Sequence, residues 1–291
     1  MKITSHCVPC LLRRAVFEAC LVDESKVDEV IREGCRILAD DFSQDKCSIE
    51  VSTKVHAKIL EVLGTNDPYV DIKNRCNTVA QKLLPKAEQF VDQAEDKLHA
   101  AVVCAIAGNV LDFGIEGSAE NPEVLEQMFN ELCQEGLHVD EVELIRVFLK
   151  PEAKILFFTD NCGEIIFDKL LLREIKKLGV HITLVVKGEP ILNDATMEDV
   201  EALEMGAEVD EVITTNAFAV GLDFDKITPE LKEKIESVDI IISKGMGNFE
   251  AFSETDYKPI AYLLRTKCPP VANALGLELN MNVAKLVAKG L

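Results

Sequence analysis

Apolar residues recur at i, i+3, i+4 and i+7 along the first half of the chain. That spacing predicts helices over 11–21, 25–40, 49–63, 69–91, 95–110, 121–135 and 139–148. Asn66-Asp67-Pro68 breaks the helical pattern, and Pro151 marks a change of texture. From there, short continuous apolar runs at 154–160, 181–188, 211–215, 238–245 and 269–275 predict strands. Helical spacing fills 163–178, 196–206, 229–236 and 256–266 between them.

Strands that are apolar throughout and alternate with helices predict a parallel sheet covered on both faces. The expected class is α/β. A Rossmann-like α/β/α domain over 151–291, with three layers and a largely parallel sheet, would follow an all-helical domain over 1–150. Ligands of such sheets bind beyond the carboxyl ends of the strands, so those ends are where chemistry is expected.

The first strand ends in Asp160-Asn161-Cys162-Gly163-Glu164. The second runs into Lys187-Gly188 and then Asn193-Asp194-Ala195-Thr196. The fourth ends in Ser243-Lys244-Gly245-Met246-Gly247-Asn248-Phe249-Glu250. Asp160, Asn161 and Asp194 are hard oxygen donors of the kind Mg²⁺ or Mn²⁺ prefers. The glycine-bearing segment 243–248 offers backbone N–H groups to an anion, with Lys244 to neutralise it. A divalent cation beside an anion cradle suits phosphoryl transfer to water, because the metal polarises a phosphoryl oxygen and acidifies water.

Each piece has a plainer alternative. Asp160 and Asp194 also suit helix N-caps. Glu164 suits the first turn of a helix, and Glu250 suits a capping box. The pair Gly245 and Gly247 lacks the third glycine of the dinucleotide fingerprint and follows the wrong strand for it. The five histidines form no HxH or HExxH pair.

Composition narrows the partners. A formal net charge of −20 repels phosphate backbones, so no nucleic acid is expected; a small phosphorylated substrate needs only a local cation. The longest apolar runs fall well short of the ~20 residues of a membrane span, and MKITSHCVPCLLRR lacks the apolar core of a signal peptide. A cytoplasmic protein without membrane contact is expected. The ten cysteines then read as reduced thiols, Cys7 and Cys10 forming the one pair with metal-like or redox-like spacing.

These motifs together resemble a known family. DNCGE with Asp168, NDAT, SKGMGNFE and the lysine of LLRTKCPPVA are similar to the metal-dependent damage-control phosphatases once described as the domain-of-unknown-function 89 family. CVPCLLRRA resembles its CxxC-bearing archaeal and bacterial subfamily, and AGNVLDFG its helical GN-x-x-D element. The resemblance covers nearly the whole chain. It implies hydrolysis of phosphate monoesters, such as sugar phosphates or damaged metabolites, supported by Mn²⁺, Co²⁺, Ni²⁺ or Mg²⁺.

Carried over motif by motif, Asp160, Asn161 and Asp194 would bind metal, and Lys244, Gly245 and Asn248 would contact phosphate. Asn109 and Asp112 would lie beside the site, with Lys267 as the C-terminal lysine and Glu164, Asn193, Ser243 and Glu250 near the substrate. Two rivals stand beside this expectation: methyl transfer from S-adenosylmethionine, and a non-catalytic metabolite- or metal-binding module. An aspartyl-phosphate route is disfavoured, since Cys162 stands where such enzymes carry a second Asp.

Overall fold

The computed structural model describes residues 1–110 and 122–288 of the chain. Helices α1 (Cys7–Val22), α2 (Val27–Asp41) and α3 (Ser48–Leu63) enclose a small core of their own. Leu11, Ala15 and Ala19 on α1 face Val51, Val55 and Ile59 on α3. Both sets repeat every four residues, the spacing that stacks side chains along one helix face.

Helices α4 (Val70–Gln93), α5 (Lys97–Ala107) and α6 (Val124–Glu135) share the largest core with the sheet. α5 is buried from Ala100 through Ala107, as an almost wholly apolar helix must be. It runs into Gly108-Asn109-Val110, where a Cβ on Gly108 would stand 2.8 Å from the Phe167 ring and 3.1 Å from Glu164 Cα. Glycine there brings Asn109 up against the sheet domain.

The sheet has seven strands: β1 (Val139–Asp140), β2 (Lys154–Phe158), β3 (His181–Val186), β4 (Glu211–Thr214), β5 (Ile240–Lys244), β6 (Ile260–Arg265) and β7 (Asn282–Val287). Their order is β1-β7-β6-β5-β2-β3-β4, with only the β6–β7 pair antiparallel. The intervening helices are α7 (Val142–Arg146), α8 (Glu164–Lys176), α9 (Met197–Ala202), α10 (Pro229–Ser237), α11 (Gly245–Phe252) and α12 (Pro269–Leu275). Ile155 and Phe157 of β2 join the core under α5 and α8, while Leu156 and Phe158 join the opposite core with Leu231, Phe249 and Val271. This period-2 split is why the strand is apolar on every residue: both faces are covered.

From β2 the chain steps outward to β3 and β4, then returns across β2 to form β5 and β6. The winding therefore reverses between β2 and β5. At that reversal the connections leave in opposite directions and open a crevice at the strand ends.

Several expectations need correction. The helix expected over 256–266 is strand β6, and the strand expected over 269–275 is helix α12. Ile260-Ala261-Tyr262-Leu263-Leu264 is a short apolar run whose periodicity fits either state. Pro269 and Pro270 stand in the first turn of α12, where a missing N–H costs nothing. The helix expected from 139 begins instead with β1, and β7 had no counterpart in the predicted strands. Residues 243–248 are not an open loop: β5 ends at Lys244 and α11 begins at Gly245.

Candidate active site

Asp160 leaves β2 at the reversal point, and Gly245 leaves β5 beside it. A Cβ on Gly245 would lie 1.9 Å from Asp160 Oδ2 and 2.1 Å from its Cγ. Gly245 also has φ +74°, a left-handed conformation that side chains disfavour. The glycine therefore makes the space that the Asp160 carboxylate fills.

Asn161 pairs with Asp194 in an isolated antiparallel bridge. Ala195 N donates to Asp160 O at 2.8 Å, and Cys162 N donates to Asn193 O at 2.8 Å. These backbone bonds bind the β2 turn to the segment after β3, so Asp160, Asn161 and Asp194 share one rim. Asn161 Nδ2 donates to Asp160 Oδ2 at 2.8 Å and to Glu164 Oε2 at 3.3 Å. Its amide nitrogen is thus engaged by Asp160 and Glu164. Asn109 Nδ2 also donates to Asp160 Oδ2, at 2.8 Å, and to Glu164 Oε2, at 2.7 Å, while its Oδ1 accepts from Arg265 N at 3.2 Å.

Two carboxylates and an amide oxygen on one rim fit a hard divalent cation. Gly245 supports the fit, since its bare Cα keeps the Asp160 carboxylate at the crevice. Among the described residues no group of three His, Cys, Asp or Glu side chains is placed to hold a metal. Asn161 offers an amide oxygen donor on the same rim.

Asp160, Asn161, Asp194, Glu250 and Lys267 line a single cavity of about 290 Å³, together with Met246 and Gly247 at the start of α11. Its other wall comes from the N-terminal helices, with Cys7, Cys10, Arg13 and Arg14 of α1 and Ser48, Ser52 and His56 of α3. Lys267 Nζ donates to Asn109 O at 2.6 Å. The Glu250 carboxylate accepts from Ser48 Oγ, and burial raises its pKa above the usual range against the pull of Ser48, the N-terminal ammonium and Arg14.

Lys244 does not reach that cavity. It is fully buried, and Nζ donates to Asp168 Oδ1, to Glu164 Oε1 at 2.6 Å and to Ala105 O at 3.2 Å. Although burial opposes the charge, Asp168 and Glu164 hold the ammonium well above its ordinary pKa. Burial pushes Asp168 up to about 7, with Lys244 pulling down and Glu164 pushing up. The expected contact of Lys244 with phosphate is therefore replaced by a buried ion pair, whose Glu164 end braces Asn161 and Asn109.

Asn248 is likewise committed within the protein. Its Nδ2 donates to Thr159 O at 2.8 Å and Lys244 O at 2.9 Å, tying the ends of β2 and β5 together. Ser243 is buried below the rim, and Asn193 holds the turn through its backbone. Asp112 lies outside the described residues.

Lys187 was not expected at the site. Its Nζ lies 3.4 Å from Asp194 Oδ2 and donates to Gly221 O and, at 3.3 Å, to Asn248 Oδ1. Its place at the end of β3 was the available signal. Cys162 is buried, and burial lifts its thiol well above the ordinary pKa, which leaves it a packing role. Cys7, Cys10 and Cys268 line the cavity wall.

The chain is similar to known proteins over nearly its whole length. A family model described as Damage-control phosphatase ARMT1-like domain matches residues 3–283. A damage-control phosphatase of Archaeoglobus fulgidus is 38% identical over 289 residues, covering 99% of this chain and all of the relative. A damage-control phosphatase of Pyrococcus horikoshii is 29% identical over 278 residues, 94% of each chain. The crystal structure of a DUF89 family protein from P. horikoshii superposes with a TM-score of 0.86 at 28% identity, covering 98% of this chain and 99% of that one.

Proposed function

The chain belongs to the damage-control phosphatase ARMT1-like family, and from that premise we propose that it hydrolyses small phosphate monoesters at the β2–β5 crevice. Sugar phosphates and damaged phosphometabolites are the substrate class. The observation that carries this reading is the space Gly245 leaves for the Asp160 carboxylate, beside Asn161 and Asp194 on the same rim. Family membership sets methyl transfer aside.

Asp160 and Asp194, with Asn161 Oδ1, would hold one divalent cation, with Mn²⁺, Co²⁺, Ni²⁺ and Mg²⁺ the candidates. When bound, the metal supplies polarisation of a phosphoryl oxygen and a lowered pKa for water. The protein supplies the positioning. Glu164 accepts from the Asn161 amide and from Asn109, which also donates to Asp160, and Lys244, paired with Asp168, holds Glu164. Lys267 and the first N–H groups of α11 face the cavity and suit the remaining phosphoryl oxygens. Water attacks phosphorus as the ester P–O bond breaks, and one water proton ends on the departing alcohol. No described helix is long and apolar enough to cross a membrane; we place this chemistry in the cytoplasm.

The test is a panel of phosphate esters assayed with each of the four metals. Metal-dependent phosphate release from at least one monoester is expected, and turnover unaffected by chelation would overturn the reading.

A further inference from the structure

Two segments carry the candidate metal ligands: Asp160 and Asn161 follow β2, and Asp194 follows β3. Backbone bonds join them directly, from Ala195 N to Asp160 O and from Cys162 N to Asn193 O. A second tie runs through Asn77 on α4. Asn77 Oδ1 accepts from Gly163 N at 2.7 Å, and Nδ2 donates to Asp199 Oδ1 at 3.4 Å. Gly163 N–H can only donate and the Asp199 carboxylate accepts, so one amide orientation satisfies both ends.

Asp199 in turn binds the segment of Asp194. Its Oδ2 accepts from Thr196 N and from Thr196 Oγ1, both at 2.9 Å. Lys73, one turn before Asn77 on α4, lies 3.3 Å from the same oxygen. Asn77 therefore holds Gly163, two residues after Asn161, and through Asp199 it reaches Thr196, two residues after Asp194.

Joining α4 to the sheet does not by itself call for this amide. Ile72, Cys76, Val79, Ala80 and Leu83 already bury the helix in the main core. Asn77 is half-buried, and neither it nor Asp199 lines the cavity, so neither is placed to touch substrate. What the amide joins are the two ligand-bearing segments, whose separation sets the distance between ligand oxygens. Small divalent cations such as Mg²⁺ demand near-ideal distances, and bonds behind the ligands hold them to that geometry.

Resting on the metal site of the phosphatase reading above, we propose that Asn77 is a positioning residue for the metal centre. From α4 it fixes the spacing between the Asp160–Asn161 pair and Asp194. It contributes to metal affinity without supplying a ligand.

The experiment is calorimetric titration of the full chain with Mn²⁺, Co²⁺, Ni²⁺ and Mg²⁺ in turn, without ester, beside thermal melts of the metal-free protein. Asn77→Leu roughly keeps the side-chain volume and removes both bonds. Its Kd for the tightest-binding metal is expected to rise by about tenfold. Asn77→Asp keeps the acceptor for Gly163 N but sets a second carboxylate against Asp199, and it weakens binding as well. Adding Asp199→Asn to Asn77→Asp makes a donor face an acceptor again and recovers part of the affinity. Val79→Ala loosens the packing of α4 away from these bonds. It lowers the melting temperature by several degrees and leaves Kd within about twofold. If Asn77→Leu does not fold, Asn77→Asp and the exchanged pair carry the measurement.

An unchanged Kd in the Asn77 variants overturns the inference and leaves the metal site intact. So does an exchanged pair that binds no better than Asn77→Asp, or a Val79→Ala protein weakened as much as Asn77→Leu. Wild type that binds none of the four metals removes the metal site, and this inference with it.

Discussion

At the scale of single residues, the site depends on what lies beneath it as much as on what faces the cavity. Gly245 has no side chain to contribute, yet a methyl group there would meet the Asp160 carboxylate at 1.9 Å. Gly245→Ala is expected to cost about 1–3 kcal/mol of stability from backbone strain, and about 10²-fold in kcat/KM from displacing Asp160. Thermal melts and ester kinetics on the same preparation check both. Lys244 gives the opposite lesson. Its position at a strand end suggested a phosphate contact, but whether a strand-end side chain points outward or inward depends on local register, which composition does not reveal. Its charge is met by Glu164 and Asp168, all three fully buried. Lys244→Met leaves two buried carboxylates without their cation and is expected to destabilise the fold by about 3–5 kcal/mol in urea unfolding. A rise in KM with unchanged stability would instead return Lys244 to the phosphate.

At the scale of elements, the strand–helix alternation from 154 to 245 was legible because its runs are long, apolar and punctuated by glycine. Asp160, Asn161 and Asp194 followed from that pattern once strand ends were taken as the place for ligands. Past 255 the pattern misled, since β6 and α12 are short and their apolar content fits either state. The wall from α1 and α3 had no sequence signal, because it exists only through docking of those helices on the rim. Another such tie joins α4 to α9: Lys73 Nζ lies 3.3 Å from Asp199 Oδ2, and Asp199 closes a capping box with Thr196. Burial raises the Asp199 pKa, but Lys73 and bonds from Thr196 and Cys162 outweigh it and hold the group below the usual carboxylate range. A depressed carboxylate pKa adds stability that is fully present above the unfolded value, about 4, and is lost as pH falls through the folded one. Asp199→Asn is therefore expected to lower stability at neutral pH and to flatten its decline below about pH 4. A parallel decline in variant and wild type, followed by denaturant melts across pH 2–6, would refute that role.

At the scale of the whole molecule, the cavity lies where three packing units meet: the core of α1–α3 and the two faces of the sheet. A cation bound there acts on the folded state alone. At a hundred times its dissociation constant it adds about 2.7 kcal/mol. Mn²⁺ or Co²⁺ should raise the melting temperature of the wild-type protein by several degrees and leave Asp194→Ala nearly unmoved. Equal shifts in both would place the cation elsewhere.

The most direct measurement of the central claim is metal-dependent release of inorganic phosphate by wild type and Asp160→Ala, with ester and Mn²⁺ saturating. Wild type should lose activity on chelation and recover it on adding metal, while Asp160→Ala should fall by about 10³-fold or more. Full activity in Asp160→Ala would contradict the assignment of the β2–β5 crevice as the hydrolytic centre.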